Sequence, residues 1–434
     1  MGLTLAHSPA AQAPPGKRLA RRVFPATLSP VTPEEVGEVR TKVVPEDFLV
    51  EERTDLQLAA SGPWAVYRVR KVGAATLDVQ TQWASMLGLA RQQVVFPALK
   101  DKGSLAVQYA TLPAGSPEVI EGQRFRAQRV GYRRRPLAPS DLLGNAFALV
   151  VRDLYAEEAE RLGQRLTEMA HGGLPNYYDE QRFGSFTPEG HSIGKAILRR
   201  DAEVALRAYL TVPFVGDPRP VRAFKRQAAA LWPDWPALFA TAPRPSNYRS
   251  VLTYLVGHPQ DYRKALNLIP QRLLALYLAA YQSWLWNRIV SAYLVQVHGQ
   301  EGVRMGWVRI AGQGLAVPTG LTDQALAGLA ALCIALPGHR AVFRPQEVER
   351  IARQVLAEEE LGLADLKARI LDKAYLPKGE RAVWLRPQEV EAGAPAEDER
   401  FPGKRKLQIR FALPRGSYAT LVLKTAGMGT ERGG

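Results

Sequence analysis

Apolar and polar positions recur with periods that divide the chain into strand-rich ends and a helical middle. Val43 to Val50 is rich in β-forming residues, and Trp64 to Val69 alternates large and small side chains after Pro63. A 3.6-residue period then predicts a helix over Thr76 to Leu87, with Val79, Trp83, Met86 and Leu87 on one face and Gly88 as its stop. Strands are expected over Val94 to Leu99 and Leu105 to Leu112, joined through Lys100-Asp101-Lys102-Gly103, which sets Asp101 at a turn. A further strand is expected over Ala146 to Arg152, and an amphipathic helix over Glu157 to Met169 ending near Gly172 and Gly173. Beyond about residue 190 the helical period dominates at Ala202 to Tyr209, Gln271 to Leu294 and Pro345 to Leu371. Strand character returns at Lys406 to Leu413 and Tyr418 to Leu423.

This pattern predicts an α+β fold whose strand-rich core is built from both ends of the chain. The expected division is a basic, Pro-rich arm over residues 1–37, a core over 38–190 plus 385–434, and a mainly helical insertion over 191–384. The apolar run from Gln271 is broken by Gln282, Ser283, Asn287 and Arg288, so it reads as a buried helix and no membrane span is expected. The arm lacks the continuous apolar stretch of a secretory signal, and a cytoplasmic location is expected.

Charge narrows the picture. The 434 residues contain 57 Lys+Arg against 42 Asp+Glu, a formal charge of +15, which favours a polyanionic partner. The single cysteine, Cys333, excludes an intramolecular disulfide, and the six histidines show no metal-ligand spacing, so no metal is expected. The phosphate-loop, dinucleotide-binding, zinc-hydrolase and serine-hydrolase signatures are all missing, so no cofactor is expected.

The chemically informative segment is the turn around Asp101. Positive charge from Lys100 and Lys102 favours the ionised carboxylate, which can serve as a nucleophile or base on a sugar or an electron-poor ring. On these residues alone, a solvated surface turn is the default reading.

Further segments change that weighting. Lys42 followed by Pro45-Glu46-Asp47-Phe48 resembles the opening motif of the TruD family of pseudouridine synthases. Lys100-Asp101, with Gln108 beyond it, resembles that family's catalytic turn. Gly144-Asn145-Ala146-Phe147, Pro175-Asn176-Tyr177-Tyr178-Asp179-Glu180-Gln181-Arg182-Phe183-Gly184, Tyr281 to Asn287 and Leu413 to Thr420 are similar to its later motifs, in the same order. The long middle section looks like the larger, archaeal-type members. Ala98, Ser104, Ala106 and Asp179 depart from the family pattern, and the first three put local support of the turn in question.

The resemblance implies a pseudouridine synthase core with an extended, largely antiparallel sheet, interrupted by the inserted TRUD domain. The implied reaction is isomerisation of uridine to pseudouridine in tRNA, with position 13 as the usual target. Asp101 would be the essential carboxylate, attacking the sugar, adding to the ring or removing a sugar proton, with Lys42 beside it. Phe147 would stack on the extruded uracil, and Asn145 would bond its polar edge or fix the loop. Phe48, Lys100, Gln181, Arg182 and Phe183 complete the expected substrate-binding set, with Arg182 on phosphate or in an internal salt bridge. A non-catalytic RNA-binding or RNA-chaperone protein of the same fold, or a synthase acting on another RNA, is the alternative. The sequence does not fix the oligomeric state, with a slight preference for a monomer. Two basic windows, Glu121 to Pro136 and Phe401 to Gly434, are expected to help line an RNA-binding face beside Asp101.

Overall fold

A computed structural model of the chain describes residues 40–187, 192–214, 216–244, 246–299 and 302–428. The 1–37 arm and the last six residues of the second basic window lie outside them.

The main sheet has nine strands. Six come from the N-terminal half: β1 (Phe48–Thr54), β2 (Trp64–Val72), β3 (Leu105–Pro113), β4 (Val119–Gly122), β5 (Phe125–Arg133) and β6 (Leu142–Leu154). Strands Gln388–Ala392, Ala396–Glu397 and Arg405–Pro414 come from the C-terminal end. The principal order runs from Gln388–Ala392 through Arg405–Pro414, β6, β1, β3, β2 and β5 to β4. β1 and β3 pair in parallel, with Leu49 opposite Leu105, and the other pairings in the sheet are antiparallel.

Burial alternates along β1, where Phe48, Val50 and Glu52 are buried and the residues between them are partly exposed. Helix α1 (Thr76–Leu87) buries Val79 and Trp83 in a small apolar cluster with Tyr67, Val69, Ala110 and Leu112. Helix α2 (Ala156–Gly172) buries Leu162, Leu166 and Met169 in a larger cluster that runs from Phe48 to Leu294 of the long helix Gln271–His298. Along β3, Ala106 belongs to the large cluster and Ala110 to the small one, while the intervening Gln108 is wholly buried. A polar strip therefore lies between the two apolar regions.

Nine α-helices lie between Ile193 and Glu358 among the described residues, in agreement with a mainly helical middle. A hairpin of Arg304–Ile310 with Gln313–Thr319 accompanies them. The chain returns through Trp384–Leu385, which pairs with Leu174–Pro175. Gly173 makes that closure possible: its φ is +75°, and a Cβ there would lie 2.4 Å from Trp384 Nε1.

Three local expectations need correction. Val94–Leu99 is not a strand: a 3₁₀ turn over Arg91–Gln93 leads into an isolated bridge from Val95 to Thr111, so the segment pairs at one point only. Tyr418–Leu423 is part of a helix, Ala419–Ala426, which buries Leu421, Val422 and Leu423. The helix expected over Pro345–Leu371 spans Gln346–Glu358, because Glu360 turns to φ +56° and breaks the helical path.

Candidate active site

The parallel pairing of β1 with β3 brings two distant segments together. Lys42 lies shortly before β1 and the Asp101 turn shortly before β3, so both stand at the same end of adjacent strands. Lys42 Nζ is 3.7 Å from Asp101 Oδ2 and 4.2 Å from the centre of the Phe48 ring. The Asp101 side chain is 62% exposed and can meet a ligand directly. Gln181 Nε2 reaches the same Oδ2 at 3.5 Å.

Behind the carboxylate, the turn is held by buried side chains. Lys71 is 1% exposed, and its ammonium donates to the carbonyls of Asp101 at 2.7 Å and Ala74 at 2.8 Å. The Ser104 hydroxyl donates to the Asp101 carbonyl at 3.2 Å. Thr76, at the start of α1, accepts from Lys100 N–H at 2.8 Å and donates to Gln108 Oε1 at 3.0 Å. Ala98 does not need a left-handed backbone, so the expected glycine is replaced without that strain. The feared loss of turn support is thus corrected: Lys71, Thr76 and Ser104 provide it.

Lys100 points along the polar strip, donating to Asn145 Oδ1 at 2.6 Å and lying 3.2 Å from Glu52 Oε1. Burial pushes the Glu52 carboxyl above the ordinary glutamate range, while Lys100 and the Tyr109 N–H oppose that rise. Gly144 is explained by packing, since a Cβ would meet the Leu413 carbonyl at 2.2 Å. Phe147 is 9% exposed and packs between Phe48, edge-on at 6.1 Å, and Phe411 at 5.5 Å.

The segment carrying Gln181 is pinned by the long helix. Asn287 accepts from Tyr178 N–H at 2.9 Å and donates to Tyr178 O at 2.8 Å. Arg182 Nε donates to Ser283 Oγ at 3.0 Å, and the guanidinium lies over Tyr178. Phe183 is buried and packs edge-on against Phe186. Trp286 is likewise wholly buried, as its place on an apolar helix predicts.

The basic windows do not form one patch. In Glu121 to Pro136, Arg126 pairs with Glu121, Arg129 with Glu118, and Arg133 and Arg135 share Asp141. Five strand steps separate β5 from Arg405–Pro414, roughly 24 Å at the usual strand spacing. Part of the first window's charge is therefore neutralised locally, and the two windows lie on separate strands of the sheet.

Sequence reasoning missed Lys71, Thr76 and Glu52. Lys71 is also testable by pH, because burial lowers its ammonium to about 8, with Asp101 opposing the shift. Below pH 8 both folded and unfolded chains hold this proton, and burying the charge costs stability. Between about pH 8 and the unfolded lysine's ~10.4 only the unfolded chain retains it, so stability rises with pH. The Tm difference between wild type and Lys71→Met should therefore move in favour of wild type over that interval. A pH-independent difference would contradict the buried ammonium.

Among the described residues, no group of three His, Cys, Asp or Glu side chains is arranged to hold a metal ion, and no helix is long and apolar enough to cross a membrane. An exposed carboxylate on a braced turn, at the end of a large mixed sheet with a helical middle, fits the pseudouridine synthase class. The TruD family model, described as tRNA pseudouridine synthase D, matches residues 31–426, and the chain belongs to that family. A tRNA pseudouridine synthase D from Aquifex aeolicus is 27% identical over 89% of this chain and 97% of its own length. A relative from Methanococcus maripaludis, bearing the name Probable tRNA pseudouridine synthase D 1, is 26% identical over 87% and 97%. A solved TruD structure from Methanosarcina mazei aligns with a TM-score of 0.67 at 27% identity, covering 90% of this chain and 93% of that one. Relatives of comparable length thus come from both archaea and bacteria.

Proposed function

We propose that the chain isomerises uridine to pseudouridine at position 13 of tRNA, in the cytoplasm, with Asp101 as the essential carboxylate and no cofactor. The observation that carries this reading is the exposed Asp101 carboxylate between Lys42 at 3.7 Å and Gln181 at 3.5 Å. The reaction balances within one nucleoside: the N1–C1′ bond breaks, C5–C1′ forms, C5 loses a proton and N1 gains one. Lys42 supplies positive charge beside the carboxylate, and Lys71 fixes its backbone from behind. Phe48 and Phe147 form the aromatic wall beside Lys42, with Phe147 meeting the extruded uracil, while Lys100 and Asn145 supply polar contacts. Gln181 approaches from the insertion side, with Arg182 and Phe183 anchoring its segment. We retain 38–190 plus 385–434 as the catalytic core and 191–384 as the inserted domain.

The test is incubation of the purified chain with tRNA transcripts, followed by nucleotide-resolution pseudouridine mapping. Modification at uridine 13 is expected. Modification only elsewhere would overturn the position, and tRNA binding without any pseudouridine would overturn the enzymatic reading.

A further inference from the structure

An open groove of about 450 Å³ abuts the catalytic turn on residues that the reaction itself does not use. Leu77 and Gln80 of α1 form one wall, Arg91, Phe96 and Leu99 another, and Arg272 closes it from the start of the long helix. Thr76, which also lines it, is the residue that holds Lys100 N–H at 2.8 Å. Groove and carboxylate are therefore mechanically joined through one turn.

The lining combines two chemistries. Arg91 and Arg272 make no ion pair among the described residues, in contrast to the paired arginines of β5, and Gln80 Oε1 accepts from Arg91 Nε at 3.1 Å. Leu77 and Leu99 are 41% and 54% exposed and offer apolar surface beside these polar groups. Guanidinium groups suit phosphate, and apolar side chains suit the face of an unstacked base. The volume lies within the range of small-ligand clefts.

We infer that this groove is a subsite for one unstacked RNA nucleotide flanking the target uridine, its phosphate on Arg91 and Arg272 and its base on Leu77 and Leu99. The inference rests on the proposed action on RNA. Extruding the target unstacks its neighbours and exposes the base face that the groove can cover.

The test measures tRNA affinity across a salt series in an Asp101→Asn background, so that binding is read without turnover. Adding Arg91→Gln and Arg272→Gln should weaken binding about tenfold, as expected for loss of a charge-assisted phosphate contact. The slope of log affinity against log salt should fall by about 0.7, from the one phosphate that the two arginines share. An abasic substitution at one nucleotide flanking the target should weaken binding to the parent protein, but not to a Leu77→Ser/Leu99→Ser variant. Unchanged affinity and slope in the arginine variant would overturn the subsite. A reduced slope with no abasic effect would place only RNA backbone there and also overturn it. In otherwise wild-type protein, the arginine changes should raise the half-saturating tRNA concentration with the saturating rate within about twofold, as for lost uniform binding. Absence of pseudouridine in the wild type would instead defeat the functional reading, while the binding arm would still decide the groove.

Discussion

Asp101→Asn is expected to lower pseudouridine formation by at least about 10⁴-fold, the scale seen when a central catalytic group is removed. Asparagine preserves the size of the side chain but lacks both the negative charge and the basicity. The Lys71 and Ser104 contacts are to the Asp101 backbone carbonyl, so the substitution leaves the braces of the turn intact. Affinity for tRNA should consequently stay within a few-fold of wild type, because exposed phosphate contacts supply most of it. Single-turnover assays paired with equilibrium binding separate the two quantities. A variant that retained a tenth of the wild-type rate would remove Asp101 from its assigned role.

The largest stability effect is expected at Arg152, far from solvent on β6. Its guanidinium holds Asp47 through contacts of 2.9 and 3.0 Å, Asp398 at 2.9 Å and Glu399 at 2.9 Å. Asp47 and Asp398 are 1% and 5% exposed, so Arg152→Met would leave two carboxylates desolvated without their cation. Breaking a buried pair this way costs roughly 3–5 kcal/mol, whereas Glu399 at the solvent edge adds little. Urea unfolding of wild type and variant measures the difference, and a loss below about 1 kcal/mol would contradict the network's importance. Removing the Asp47 and Asp398 charges along with the guanidinium should recover most of the loss. Asp47 belongs to the opening motif, and its role here is structural: it anchors the chain immediately before Phe48, on whose ring Lys42 rests.

The sequence carried much of the candidate site because its parts are short, local and chemically distinctive. Lys42, Asp101 and Gln181 were each legible within their own motif, and the structure brings them within 3.7 Å of one another in pairs through Asp101. Lys71 was not legible, because a lysine at the end of a strand ordinarily faces water and only the fold reveals its two carbonyl partners. Tyr418 to Leu423 was misread because a six-residue apolar run fits strand and helix alike, and tertiary packing decides between them. Val94 to Leu99 has strand composition, yet it pairs only at Val95, through a single bridge to Thr111 that follows a 3₁₀ turn. A charge count over the first basic window overstates its free charge, because it ignores the neutralising residues just outside it, here Glu118 and Asp141.

Asp179, where the family often has glycine, is 1% exposed and accepts from Thr420 and from Lys424 at 2.6 Å. Two residues later the same segment presents Gln181 to Asp101. The segment that carries Gln181 is thus secured by a cation 245 residues away in sequence. Without that ammonium the buried Asp179 carboxylate would lack its charge partner, and the Gln181 segment its anchor. The reach of Gln181 toward Asp101 is therefore tied to docking of the Ala419–Ala426 helix, so loosening that helix would release the Gln181 contact without altering the Asp101 turn itself.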